Sequence, residues 1–228
     1  MKIKICGLFR EQDIDYVNEA KPDYAGFVFA ESKRRVSPAL ASGLRGRLLD
    51  EIIPVGVFVN APIADIATLY NENVIAIAQL HGNEDGEYIT RLKAECDSRG
   101  KKPVEVIKTM RINEKPGAAS SPLHTPYSLL PSFADYYLID SGAGSGKAFN
   151  WELLNSTGMN ALKDTKPWFL AGGIGLDNVE QALGFNPYAL DVSSGAETDG
   201  IKDRKKIVQL ISIVHGCAGT QRKKNEKG

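Results

Sequence analysis

A thiol, a carboxyl group and two glycine-rich turns are the chemical assets of this sequence. The run Lys2-Ile-Lys-Ile-Cys-Gly7 alternates basic and apolar residues and ends on Cys6 beside a glycine, where a strand would turn. Tyr136-Tyr-Leu-Ile-Asp140 ends in the same way on Asp140, and period two puts Tyr136, Leu138 and Asp140 on one face. A free thiol titrates at about 8.5 and a free aspartate at about 3.9, so at neutral pH the first is mostly protonated and the second ionised. Nearby anions and burial would favour protonated Asp140, and the pair could then serve as base and acid. Each residue also has a plainer reading. A free cysteine is ordinarily a small buried hydrophobe, and a strand-end aspartate often caps a backbone N–H.

The glycine turns are Gly172-Gly173 and Ser193-Ser194-Gly195, each directly after a strand-like run. Backbone N–H groups approach a phosphate closely where glycine has no Cβ, and serine hydroxyls add donors. One such pair of glycines is ordinarily a turn. Two adjacent loops of this kind point to a phosphorylated ligand.

Eight short apolar runs are available to position these groups. They are Lys2–Cys6, Tyr24–Phe29, Pro54–Val59, Ile75–Leu80, Val104–Lys108, Tyr136–Asp140, Trp168–Ala171 and Ala189–Val192. Between them lie stripes at helical spacing. Ile14 and Val17 mark a helix ending near Lys21-Pro22, and Pro38 opens one with Leu40, Leu44 and Leu48 on one apolar face. Asn60-Ala-Pro62 starts a helix carrying Ile63, Ile66, Ala67 and Tyr70, and Ile89, Leu92 and Cys96 stripe the next. Short helices are expected within Tyr127–Ala134 and from Trp151, then at Val179, Ala182 and Leu183, and finally at Ile207, Leu210, Ile211 and Val214. This alternation predicts an α/β protein, a single-domain (β/α)8 TIM barrel over residues 1–215, with its active residues at the carboxyl ends of the strands. Cys6 and Asp140, on strands one and six, would then face each other roughly across the ring. Asn113–Pro126 is rich in Pro, Ser, Gly and Ala and reads as a long loop, and residues 216–228 read as a basic, flexible tail.

Lys plus Arg equals Asp plus Glu at 28 each, so no overall field draws nucleic acid or membrane and any anion must be held locally. Cys6, Cys96 and Cys217 are odd in number and scattered, which suits a reducing compartment rather than a disulfide framework. His81, His124 and His215 show no paired ligand spacing, so no metal site is expected. The chain opens directly on a strand pattern rather than a signal peptide, and no run reaches the roughly 20 apolar residues of a membrane span. These features predict a cytoplasmic protein acting on a small phosphorylated molecule, with no nucleic-acid or membrane partner. No pattern speaks to oligomeric state. The Lys33-Arg34-Arg35 run after the second strand could clamp an anion, although composition does not choose among its cations. His81, beside Gly82, reads as a turn residue satisfied by backbone, Cys96 as a core residue, and Lys4 as lying on the face of Cys6 about 7 Å behind it.

Taken together, Lys4-Ile-Cys-Gly7, Gly26-Phe-Val-Phe29, Ser32-Lys-Arg34, Val55-Gly-Val-Phe-Val-Asn60, Gln79-Leu-His-Gly82, Leu138-Ile-Asp140, Gly144-Ser-Gly-Lys147, Gly172-Gly173 and Asp191-Val-Ser-Ser-Gly195 form an ordered series at the strand ends. The series resembles the N-(5′-phosphoribosyl)anthranilate isomerases of tryptophan biosynthesis. The resemblance implies a cofactor-free Amadori rearrangement of the phosphoribosylated anthranilate. In that likeness Asp140 is the acid that opens the sugar ring and Cys6 the base that removes the C2′ proton. Arg34 holds the anthranilate carboxylate, Asp191 lies near the amine, and Gly172, Gly173, Ser193, Ser194 and Gly195 cradle the phosphate.

The sequence departs from the pattern in three places. Asn150 stands where an aspartate is expected, the 113–126 loop is long, and no counterpart matches the tail after His215. Two other functions are compatible with parts of the pattern. One is a related sugar-phosphate isomerase of histidine biosynthesis, which carries an aspartate at the end of strand one where this chain has Cys6. The other is a non-catalytic phosphate-binding barrel with Cys6 as a thiol sensor.

Overall fold

The computed structural model describes residues 1–97, 103–111, 133–140 and 165–225, with the backbone alone at 97, 111 and 217–225. Eight parallel strands form a closed barrel in chain order. They are β1 Lys2–Cys6, β2 Tyr24–Val28, β3 Ile53–Phe58, β4 Ile77–Leu80, β5 Glu105–Arg111, β6 Tyr136–Asp140, β7 Trp168–Ala171 and β8 Ala189–Val192. Pairing of β1 with β8 closes the ring and sets Lys4 beside Asp191, while pairing with β2 sets Cys6 beside Gly26. The described helices are α1 Glu11–Ala20, α2 Pro38–Arg47, α3 Ile63–Asn71, α4 Gly86–Asp97, α5 Val179–Gly184 and α6 Arg204–Asn225.

Period two along each strand divides the apolar side chains into two cores. Ile3, Ile5, Phe27, Ala78, Ile139 and Leu190 face outward and pack under the helices. Val55, Ile77, Ile107, Leu138 and Phe169 face inward and fill the barrel. Below them, Lys2 Nζ donates to Tyr188 Oη at 2.8 Å, and Tyr24, Tyr136, Phe169 and Tyr188 meet in tilted and edge-on contacts at centroid distances of 5.4–5.8 Å. The amino-terminal mouth is thereby plugged. The inward layer above is polar, with Lys4, Gln79 and Asp191, and it forms the floor beneath Cys6.

Local chemistry accounts for the helix starts. Ser37 accepts from the Leu40 N–H at 3.2 Å with Pro38 in the first turn of α2. Buried Asp13 accepts from the N–H groups of Phe9 and Arg10 and from the Arg10 guanidinium, which folds the chain after β1 back into α1.

Two expectations are corrected, and one feature is new. Leu40 is 42% exposed, and Ala41 takes its place on the inner face of α2, because the helix turns 3.6 rather than 4 residues per repeat. The tail is not irregular through its length: α6 continues to Asn225, since residues 216–225 contain no proline and extending a nucleated helix adds one hydrogen bond per residue. After β8 the chain forms a 3₁₀ turn, Ser194–Ala196, and a small antiparallel hairpin of β9 Glu197–Thr198 and β10 Ile201–Lys202. These strands are too short for any periodicity to show. The expected 113–126 loop, the helix from Trp151, Asn150, the Gly144–Lys147 motif and nearly all of the Tyr127–Ala134 segment lie outside the described residues.

Candidate active site

The carboxyl ends of the strands surround a cavity of about 370 Å³. This suits a ligand of sugar-phosphate to drug-like size. Cys6, Arg34, Asp140 and Asp191 all line it, and so do Gly172, Gly173, Ser193 and Ser194. Gly195 does not reach the wall. A Cβ there would fall 1.9 Å from the Ile174 carbonyl oxygen, so Gly195 lets the loops after β7 and β8 come together. Gly172 and Gly173 take φ of +98° and +67°, which side chains disfavour. Asn178 secures that loop, donating to the Gly173 carbonyl at 3.0 Å and accepting from the Gly175 N–H at 2.8 Å.

Cys6 is 7% exposed at the end of β1. Burial pushes its thiol up from the ordinary value, and the Lys4 ammonium pulls against that. Gly26 supplies the space beside it, since a Cβ at that position would lie 2.8 Å from Cys6 Sγ. Ser193 Oγ donates to the Cys6 carbonyl at 3.2 Å and ties the loop after β8 to the end of β1. Asp140 enters from β6, and its Oδ2 lies 3.1 Å from Nε2 of His81. His81 thus departs from its expected role as a plain turn residue. Its backbone N–H donates to Phe58 at 2.8 Å, and its ring lines the cavity against the carboxyl group.

Of the three consecutive cations, Arg34 is the one on the cavity wall, while Arg35 pairs with Glu31 at 2.6 Å. Arg34 reaches the wall across Gly7, whose φ is +81° and whose absent Cβ would meet Arg34 Cδ at 2.4 Å. Its Nε and Nη2 fork onto the two oxygens of Glu197, both at 2.6 Å. Lys202 holds the same carboxylate from behind and also donates to the Ser193 carbonyl at 3.1 Å. Burial works against the Glu197 carboxylate, but the hydrogen bonds from Arg34 and Lys202 outweigh it and hold the carboxyl below its ordinary range. One edge of the guanidinium is thereby committed to the protein, and the opposite edge is suited to a second planar anion.

Sequence reasoning gave no role to Gln79 and missed Glu197 and Lys202. Gln79 was detectable as the one polar residue of an apolar strand, in step with the inward Ile77. Glu197 and Lys202 gave weaker notice, an Asp199-Gly200 turn between two short segments. Among the described residues no three His, Cys, Asp or Glu side chains group as metal ligands. The cavity therefore offers a carboxyl group, a thiol, a guanidinium edge and a glycine-lined wall, the equipment for moving protons on a phosphorylated, carboxylated ligand.

Comparison with known proteins is consistent with this inventory. Residues 3–212 match the family model described as N-(5′-phosphoribosyl)anthranilate (PRA) isomerase. A relative from Endomicrobium trichonymphae named N-(5′-phosphoribosyl)anthranilate isomerase is 44% identical over 219 residues, covering 93% of this chain and 98% of the relative. The phosphoribosyl anthranilate isomerase of Thermus thermophilus superimposes with a TM-score of 0.76 at 29% identity, over 95% of this chain and all of the other. A phosphoribosyl anthranilate isomerase in complex with reduced 1-(o-carboxyphenylamino)-1-deoxyribulose 5-phosphate matches with a TM-score of 0.72 at 28% identity, covering 95% and 99% of the two chains.

Proposed function

The chain belongs to the N-(5′-phosphoribosyl)anthranilate isomerase family, and from that premise we infer that it converts N-(5′-phosphoribosyl)anthranilate to 1-(2-carboxyphenylamino)-1-deoxyribulose 5-phosphate in tryptophan biosynthesis. The observation that carries the assignment of roles is the convergence of Cys6 and Asp140, from different strands, on one cavity walled by the two glycine loops. Asp140 protonates the furanose ring oxygen, and the ring opens to a protonated imine. Cys6, as thiolate, then takes the C2′ proton, giving an enolamine that tautomerises to the aminoketose. Acid and base must address different bonds of one substrate, which residues on separate strands allow.

Arg34 presents its uncommitted edge to the anthranilate carboxylate, and Glu197 fixes the direction of that edge. Gly172, Gly173, Ser193 and Ser194 receive the phosphate, with Gly195 setting the spacing of the two loops. Asp191 lies on the wall with its Oδ1 engaged by Lys4, close enough to the base to sense the substrate amine. His81 orients the acid. The reading extends to one catalytic domain over residues 1–215 and to a cytoplasmic setting, supported by the buried free thiols of Cys6 and Cys96. No helix among the described residues is long and apolar enough to cross a membrane.

The test is loss of anthranilate-adduct fluorescence when protein is added to freshly prepared substrate. The wild type should quench it. Cys6→Ser and Asp140→Asn should each reduce kcat by about 10²-fold or more, the usual scale for a general base or acid. A wild type that binds phosphate compounds but leaves the fluorescence unchanged would instead be a binding module.

A further inference from the structure

Lys4 is fully enclosed on the cavity floor, two residues behind Cys6 on the same face of β1. An ammonium group has three N–H donors and no acceptor. One goes to Gln79 Oε1 at 2.7 Å and one to Asp191 Oδ1 at 3.1 Å, and the ammonium acts electrostatically on the Cys6 side chain beside it. Gly26 makes the arrangement possible, because a Cβ there would crowd both Cys6 Sγ, at 2.8 Å, and Lys4 Cε, at 3.1 Å. We propose that Lys4 is the positioning residue that favours the thiolate form of Cys6 on which proton abstraction depends, with Gln79 and Asp191 orienting the ammonium. This rests on the isomerase reading given above.

A thiol enclosed to this degree needs a nearby cation to offset its burial before it can serve as a base. The charged groups facing Cys6 are Lys4 from β1, Asp191 from β8, Lys202 from β10 and Arg34 from the loop after β2, with His81 and Asp140 on the opposite wall. Asp191 opposes ionisation of the thiol. Arg34 and Lys202 favour it, but both are engaged by Glu197. Lys4 is the cation nearest in the strand, its Cε and Cys6 Sγ flanking the same space over Gly26, and it has the largest favourable effect of the three on the thiolate. Burial works against its own charge, and the Asp191 carboxylate and Cys6 outweigh that, so the ammonium stays protonated. In the reaction the C2′–H bond breaks and an S–H bond forms. The C–H electron pair becomes the C1′=C2′ bond, and the imine π pair moves onto nitrogen. Lys4 keeps its three protons throughout.

Alkylation of Cys6 by iodoacetamide, followed peptide by peptide in a mass spectrometer across a pH series, measures thiolate formation without any substrate. Lys4→Met should displace the Cys6 curve upward by about one pH unit or more, read as roughly tenfold slower alkylation at neutral pH. The rising limb of kcat/KM should move with it. Should Lys4→Met fail to fold because Asp191 is stranded, Lys4→Met with Asp191→Asn leaves no unpaired buried charge and should still alkylate Cys6 more slowly than the wild type. Curves that coincide with the wild type in the folded variants overturn the proposal. An active wild type with an unmoved curve removes the role of Lys4 alone. An inactive wild type with a displaced curve removes the isomerase reading and leaves the Lys4–Cys6 pairing standing.

Discussion

Glu197 is the residue whose importance is least visible in its own chemistry, since it meets no substrate in the proposed reaction. Its value lies in using one edge of Arg34 so that the other edge points into the cavity. Replacing it with Gln keeps the size and removes the charge-assisted fork, a loss of about 1.5–3 kcal/mol per hydrogen bond to a charged group. Glu197→Gln should therefore raise KM by about tenfold while changing kcat less, because the acid and base stay in place. Steady-state kinetics decides this, and an unchanged KM would mean that Arg34 needs no brace. His81 plays the corresponding part for Asp140, at 3.1 Å. The first strand shows why such partners escape one-dimensional reading. Lys4 and Cys6 are legible there as same-face neighbours, but Gln79 and Asp191, which complete the group, lie 75 and 187 residues away.

Among the elements, the loops after β7 and β8 have the tightest mutual constraint. With 1.9 Å between a hypothetical Gly195 Cβ and the Ile174 carbonyl, Gly195→Ala must push the loops apart. A misplacement of about 1 Å in a positioning group can cost about 10²-fold, so the variant should lose most of its kcat/KM. Its barrel should stay intact, because neither loop contributes to the strand pairing. Isothermal titration with inorganic phosphate should show weaker binding than in the wild type, and equal binding would dissociate these loops from the phosphate. On the neighbouring side, Glu84 braces the turn that carries His81. It accepts from the Asn60 N–H at 2.7 Å, the Gly82 N–H at 2.9 Å and Lys108 Nζ at 2.8 Å. The two glycine turns could be read from sequence as turns, but the need for glycine at 195 arises only from the approach of a second loop.

For the whole molecule, two buried carboxylates link stability to pH. Burial opposes the charge of both Glu84 and Glu197, yet Lys108 and backbone N–H groups at the first, and Arg34 and Lys202 at the second, hold both carboxyls below the ordinary range. A depressed folded value means that the stabilisation is fully present above the unfolded value of about 4.3 and is lost as pH falls through the folded value. Urea midpoints should thus be nearly flat from neutral to mildly acidic pH and then fall. The Glu84→Gln, Glu197→Gln double variant should be less stable at neutral pH and show a shallower acid decline. An acid decline of undiminished steepness would assign it to other groups.

The chain by itself determined the eight strands, the shared faces of Lys4 with Cys6 and of Leu138 with Asp140, and the barrel class. These follow from local periodicity, which is written into neighbouring residues. It also marked the glycine turns and, through the resemblance, Arg34. Tertiary structure alone decided that Arg34 is forked by Glu197, that His81 faces Asp140, and that Lys4 is held by Gln79 and Asp191 beneath Cys6. Closure of the ring sets these partners opposite one another across gaps of many tens of residues, and hydrogen-bond geometry over such gaps depends on strand register and loop path, which no local pattern contains.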